Sequence, residues 1–355
     1  MIETPSLVDQ YCHGVLRTEL GLGTFEARLA RADGPPAPGT TLFDTQTGFA
    51  VRRWCPPLLD LEPHCPPARY LARRRELGVL EAGRRLLRGS GVTAYLVDTG
   101  LTDDLTHPAE LAATAAADAR EIVRLELLAE QVADTSGTVE GFLANLAESV
   151  HGAAANAVAF ASVAPTRLGH ALVPDPPDAG EVRGAAGRWL AGRKVGGELR
   201  DPVLLRHLLW IALASGRPLQ LHTGPVPPVD FIRTTTGLGT DLVLLHGYPQ
   251  HRQIARLTAA HPHVYADCGT ALLHTGARAA TVLAETLELA PFGKLLYSSG
   301  ARALPELHLV AARLFQEALT RVLGGWVAEG AWSLGDAQRV AGMLAAGNAK
   351  RVYGL

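Results

Sequence analysis

Four segments between residues 217 and 300 decide the fold: Pro218-Leu219-Gln220-Leu221-His222-Thr223-Gly224, Leu242-Val243-Leu244-Leu245-His246-Gly247, His263-Val264-Tyr265-Ala266-Asp267-Cys268-Gly269 and Lys294-Leu295-Leu296-Tyr297-Ser298-Ser299-Gly300. Each is a short apolar or β-branched run that meets a polar residue and closes on glycine, the pattern of a strand buried on both faces. Residues 250–260 and 272–289, which lie between them, carry helical spacing. Strand, helix, strand, helix with buried strands predicts parallel βα units. In a barrel of such units the working groups stand where strands end and loops begin. His222, His246 and Asp267 are therefore expected to face a site.

Outward from this stretch the same rhythm returns. Residues 6–16 are a strand candidate in which Tyr11 and His13 point one way and Cys12 the other. Further strands are expected at 92–100 with Asp98 near its exit, at 121–126 ending on Glu126, and at 157–163. Helices are expected at 70–87, 108–119, 139–151 and 305–323, with a terminal helix at 335–355. A further one opens at Asp201-Pro202, a cap and first-turn pair, and presents Leu204, Leu205, Leu208 and Leu209 on one face. The strands total eight, which gives an α/β fold: one (β/α)8 TIM barrel over residues 1–355. Residues 17–70 break the rhythm with Gly-Pro-Pro-Ala-Pro-Gly at 34–39, Trp54-Cys55-Pro56-Pro57 and Cys65-Pro66-Pro67. They read as a loop-rich insertion covering the barrel mouth, or else as an oligomer contact.

The 355 residues suit such a barrel, and 47% hydrophobic against 19% charged residues supply one large core. A formal charge of −2 argues against a nucleic-acid surface. The start of the chain lacks the basic and apolar regions of a signal peptide, and no apolar run is long enough to cross a bilayer. Cys12, Cys55, Cys65 and Cys268 form no CxxC pair and read as reduced thiols. The expectation is a cytoplasmic protein that meets a small-molecule substrate, with neither nucleic acid nor membrane as partner.

Three histidines, His13, His222 and His246, end strands. Neutral imidazoles are ligands of catalytic zinc, and the same groups serve equally as acids and bases near neutral pH. A single such histidine would read as a hydrogen-bonded core residue; three at separate strand ends of one barrel point to a site. Asp98, Glu126 and Asp267 can orient an imidazole, hold a cation or act as base, or can simply accept N–H groups of a loop. Cys12 and Cys268 read as small apolar residues on the opposite face. His64, His107, His151, His170 and His308 read as solvated or locally bonded. Arg233, Arg252 and Arg302 follow strands five, six and eight as surface residues or carboxylate clamps.

Val8-Asp9-Gln10-Tyr11-Cys12-His13-Gly14, Leu221-His222-Thr223-Gly224, Leu245-His246-Gly247-Tyr248-Pro249, the 295–300 segment with Leu304-Pro305-Glu306-Leu307-His308, and the tail 346–355 together resemble the amidohydrolase superfamily. The likeness is to its amidohydrolase-related, FluG-like branch, and it runs along nearly the whole chain. It implies a metal-dependent hydrolase on a TIM barrel. The departures are specific. Tyr11 stands where the resemblance implies a histidine, Gly300 where it implies the aspartate that is both ligand and base, and Ala161 where relatives often carry lysine. His13, His222 and His246 remain. Three readings follow. The first taken is a metal-free enzyme using His13, His222, His246, Tyr11 and Asp267 for acid–base chemistry on a small polar metabolite in specialised metabolism. Asp98, Glu126, Arg302 and Glu306 would bind substrate, and no cofactor is expected. The second is a hydrolase or lyase with one Zn2+ or other divalent metal on His13, His222 and His246, and the third is a non-catalytic binder. The resemblance and the apolar stretch 49–61 together suggest a homodimer.

Overall fold

The computed structural model describes residues 2–3, 6–30 and 36–355; Met1, Thr4, Pro5 and residues 31–35, with Gly34 and Pro35 of the proline-rich run, lie outside them. Eight strands pair in parallel and in chain order. They are β1 (Leu7–Cys12), β2 (Val92–Asp98), β3 (Asp118–Arg124), β4 (Ala159–Ser162), β5 (Leu219–His222), β6 (Leu242–Leu245), β7 (Val264–Asp267) and β8 (Leu295–Leu296). The sheet closes between β8 and β1. Gln10 N donates to the Tyr297 carbonyl at 3.1 Å, Gly300 N to Tyr11 at 2.9 Å, and His13 N to Ala301 at 2.8 Å. The (β/α)8 barrel expected from the strand pattern is the one observed.

Val8, Leu96, Ile122, Val243, Leu245, Tyr265 and Leu296 fill the barrel, and the closing helix Asn348–Tyr353 adds Ala349 and Tyr353 to the same core. Tyr353 donates its hydroxyl proton to Gln10 Oε1 at 2.6 Å and receives the Gln220 amide at 2.8 Å. In β1, Asp9 pairs with Tyr95 and Cys12 with Val97, so β1 holds one residue more than β2 over this interval. That bulge turns the strand so that Tyr11 enters the barrel core while Cys12 joins the core behind it.

Three differences from the sequence reading have physical causes. The insertion is helical (Leu22–Ala30, Gln46–Trp54 and Pro67–Leu77), its short apolar faces being hidden in the sequence by the prolines and glycines between them. The 70–87 helix is two, broken at Gly78, whose φ of +77° lies in the left-handed region. The third strand ends at Arg124, and helix Leu125–Thr135 follows without a linker. Helix Ala179–Gly192, capped reciprocally by Asp178 and Glu181, is also additional to the expected set.

The insertion builds a second core, in which Phe25 stacks on Phe43 at 5.7 Å and Leu304, Leu307 and Val310 complete the packing. It is tied to segments that follow strands. Thr47 Oγ1 donates to the Leu273 carbonyl after β7 at 3.0 Å, and Arg28 pairs with Asp103 after β2 at 2.8 Å. Arg74 pairs with Glu306 at 2.8 Å and with Glu19 at 2.6 Å, and Tyr70 donates to Glu306 at 2.9 Å. Glu306, expected at the substrate, is instead fully buried at this anchor.

Candidate functional site

The site is assembled from the ends of β1, β2, β3, β5 and β6. His13 Nδ1 lies 2.8 Å from the Asp98 carbonyl. A carbonyl only accepts, so Nδ1 carries a proton, and in the neutral ring Nε2 is the acceptor. The Tyr11 hydroxyl, 2.9 Å away, donates to that Nε2. The Tyr11 oxygen in turn receives Nη2 of Arg124 at 3.4 Å. The same nitrogen pairs with Asp98 Oδ2 and lies 3.1 Å from His222 Nε2. Arginine only donates, so His222 Nε2 accepts and its own proton sits on Nδ1. His246 stands beside these groups, its ring 4.8 Å from His222 and 5.4 Å from Tyr11, on a backbone with φ of +59°. A non-glycine residue held there marks a place where structure over-determines the backbone, as sites commonly do.

The charges follow from burial and neighbours. Burial alone would push the Asp98 carboxyl up, but the Arg124 guanidinium, His13 and the Gly100 N–H together hold it below the ordinary carboxylate value. Burial, the largest single influence, opposes charge on Arg124 too, but Asp98, Tyr11 and Glu126 together more than offset it, so the guanidinium is held firmly protonated. His222 is pushed well below the ordinary imidazole value, first by burial and then by Arg124, His246 and His13. The result is a neutral His222 against a buried ion pair. Asp267 is raised by burial, against the Thr270 and Ser298 hydroxyls and the N–H groups of Gly269 and Thr270. Its Oδ1 accepts Gly269 N at 2.7 Å and Ser298 Oγ at 2.8 Å.

Tyr11, His13, His222, His246 and Asp98 thus come together. Glu126 does not join them. It lies in the first turn of helix Leu125–Thr135 and accepts Ser162 Oγ at 2.5 Å and Val163 N at 2.9 Å, tying β3 to the end of β4. Arg302 follows β8, partly buried, with no partner for Nε among the described residues. Arg233 and Arg252 are surface residues paired with Asp230 and Glu288. His308, read from the sequence as solvated or locally bonded, is fully buried and faces Asp9 at 3.8 Å. Arg124 is the site residue that the sequence pattern does not single out. The period-two alternation from Ile122 to Arg124 is the one signal for it, and nothing after it marks the strand's end. A hollow of about 200 Å³ beside Asp98 is lined by Gly14, Arg17, Asp103 and Thr106. One of about 300 Å³, lined by Phe49, Trp54 and Leu314, lies between insertion and outer helices and holds none of the strand-end residues.

No protein-family model matches the chain. The chain is 30% identical over 151 residues to protein fluG of Emericella nidulans; the match spans 39% of this chain and only 18% of that protein. Among solved structures, a protein of Lactobacillus casei ATCC 334 described as a metal-dependent hydrolase superposes with TM-score 0.83 at 22% identity, covering 99% of this chain and 96% of that one. The uronate isomerase of Thermotoga maritima gives TM-score 0.63 at 13% identity, with 98% and 94% covered. That of Bacillus halodurans C-125 gives 0.65 at 12%, with 99% and 94% covered. The fold is thus the (β/α)8 barrel that these structures share.

That fold raises the question of a metal ion, and the strand-end residues do not fit one as arranged. The ligand nitrogen of His222 receives a guanidinium N–H, and that of His13 receives the Tyr11 hydroxyl. A fixed cation already stands within hydrogen-bond distance of His222. A separate trio, Asp9, Cys12 and His308, brings three donor atoms within 4.8 Å of one another. It lies behind β1, where Asp9 accepts Ser299 N at 2.8 Å and Ser299 Oγ at 2.5 Å. Burial there pushes the Cys12 thiol well up, away from the thiolate a metal would take.

Proposed function

We propose that this chain is an enzyme of the amidohydrolase fold that performs acid–base chemistry on a small polar metabolite without the fold's usual metal centre. The hydrogen-bond line Arg124–Tyr11–His13–Asp98 carbonyl carries this reading. It is a polarised proton path. The cation withdraws electron density from the Tyr11 oxygen, the phenol proton points at His13 Nε2, and the Asp98 carbonyl fixes the ring. A substrate proton delivered to Tyr11 can pass to His13 and return, which is what isomerisation, elimination or ring closure requires. His222, held neutral and hydrogen-bonded to Arg124, orients the guanidinium. Arg302, partly buried after β8, offers charge to an anionic group of the substrate.

The test is solvent-deuterium exchange into a panel of small hydroxy acids and keto sugars, followed by NMR, with protein kept in chelator throughout. Exchange or turnover of a panel member is expected, reduced at least about 100-fold in Tyr11→Phe with the fold retained. Turnover that appears only on adding Zn2+ would replace this reading with the metal-dependent hydrolase.

A further inference from the structure

We infer that the Arg124 guanidinium is a resident cation filling the position of a metal ion in this barrel, and that it keeps divalent ions out. The inference rests on reading the strand ends as a working site, but its test does not require turnover.

Arg124 is the last residue of β3 and is registered against Ala161 of β4. The Ala161 methyl, fully buried inside the barrel, leaves beside Arg124 the room that a longer side chain would occupy. On the other side the stem lies on Gly100. A Cβ at Gly100 would stand 2.4 Å from Arg124 Cβ and 2.6 Å from its Cγ, so the seat exists only because residue 100 is glycine. Both neighbours are thus small where this arginine needs space.

The head group is surrounded as a metal would be. Nη2 meets a carboxylate oxygen of Asp98, the Tyr11 hydroxyl and the His222 imidazole nitrogen. Asp98 Oδ1 is fixed by Gly100 N at 2.8 Å, so the anion cannot turn away. This is a charge-neutralised cradle for one cation, and the cation is covalently part of the chain. A divalent ion at His222 Nε2 would have to displace an N–H and sit against a buried positive charge. Two further positions agree. Tyr11 offers a hydroxyl that is already bonded at both ends. Gly300, at φ +56°, has no room for a carboxylate, because a Cβ would meet Thr270 Oγ1 at 2.8 Å. Tyr11 and Gly300 stand where the resemblance implies metal ligands, and Arg124 supplies the charge that those ligands would have gathered. Among the described residues the hydrogen bonds of Arg124 run from Nη2, and Nε has no partner, which leaves guanidinium N–H groups for a substrate oxygen, so the ligand class is a carbonyl or oxyanion compound.

Chelator-stripped protein titrated with Co2+ and with Zn2+ tests this, read by cobalt d–d absorption and by metal-dependent shift of the melting temperature. The parent is expected to show neither a d–d band nor a shift. Arg124→Met, which keeps much of the volume and removes the charge, is expected to bind about one Co2+ at least about 100-fold more tightly, with the band lost again on adding His222→Ala. A stoichiometric cobalt band in the parent that disappears in His222→Ala would overturn the inference, as would an Arg124→Met protein that folds and gains no affinity. Should Arg124→Met not fold, Arg124→Gln serves in its place, and the parent titration still decides against the inference on its own.

Discussion

Gly300 shows how one residue shapes what the site can become. Its left-handed φ and the approach of Thr270 leave no place for a side chain, so Gly300→Ala should destabilise the protein by about 1–3 kcal/mol, measurable by urea unfolding. An unchanged midpoint would mean that the loop after β7 yields freely. Tyr11→Phe removes the hydroxyl between Arg124 and His13 and leaves His13 Nε2 without its donor. A loss of about 1–3 kcal/mol is expected from the unsatisfied nitrogen, separate from the loss of proton transfer. Much of this constellation is legible in the sequence. His246 follows an unbroken apolar run, His222 follows one interrupted only by Gln220, and a strand's alternation places Tyr11 beside His13 although Asp9 and Gln10 interrupt the run before them. Arg124 is not, because Val123-Arg124-Leu125-Glu126 runs straight from strand into helix with no glycine to mark the end. The boundary therefore slides two residues, and the same alternation then selects Glu126.

At the scale of elements, the Arg74–Glu306 pair is the buried ionic tie of the insertion, set in an apolar core. Arg74 is 3% exposed at its side chain, and its partner Glu306 is 0% exposed. Removing one member strands the other, so Arg74→Met should cost about 3–5 kcal/mol, seen as a lower unfolding midpoint or as early proteolytic cleavage within residues 36–77. Arg74→Met combined with Glu306→Leu should recover most of that loss, since the pair as a whole contributes little beyond an apolar replacement. If the double variant is as unstable as the single, Glu306 owes its role to Tyr70 instead. Strands such as Leu242–Leu245 were readable because a strand buried on both faces leaves a continuous apolar run, whereas β3, with exposed and charged residues, was placed only approximately. Most of the insertion was not readable, because its two 9-residue helices Leu22–Ala30 and Gln46–Trp54 are short and separated by prolines and glycines, whereas Pro67–Leu77 falls largely within the expected 70–87 helix. Its packing on Leu273, Ala301 and Leu304 is a long-range pairing that no local pattern encodes.

For the whole molecule, the site's electrostatics must appear in the pH dependence of stability. His222 has a folded pKa well below 6.5, the ordinary value it regains on unfolding. Between those values the unfolded chain binds a proton that the folded chain refuses, so unfolding becomes easier as pH falls below about 6.5 and levels off only beneath the folded pKa. His207 and His263, also lowered by burial, act in the same direction. Asp98 is held low, so its stabilisation is present above 3.8 and is lost as pH falls through its folded pKa. Asp267 and Asp241 are raised and oppose this: their stabilisation is present at low pH and is lost as pH climbs from 3.8 through their folded values. The net slope mixes these groups, and a difference measurement separates them. The unfolding free energy of the parent minus that of His222→Gln should fall by up to about 1.4 kcal/mol per pH unit below 6.5, because the other groups largely cancel. The same comparison in an Arg124→Met background should give a shallower or later fall, since Arg124 is second only to burial in keeping His222 neutral. A parent-minus-His222→Gln difference that stays flat between pH 5 and 6.5 would mean that His222 titrates like a solvated imidazole, and that the guanidinium does not govern this site.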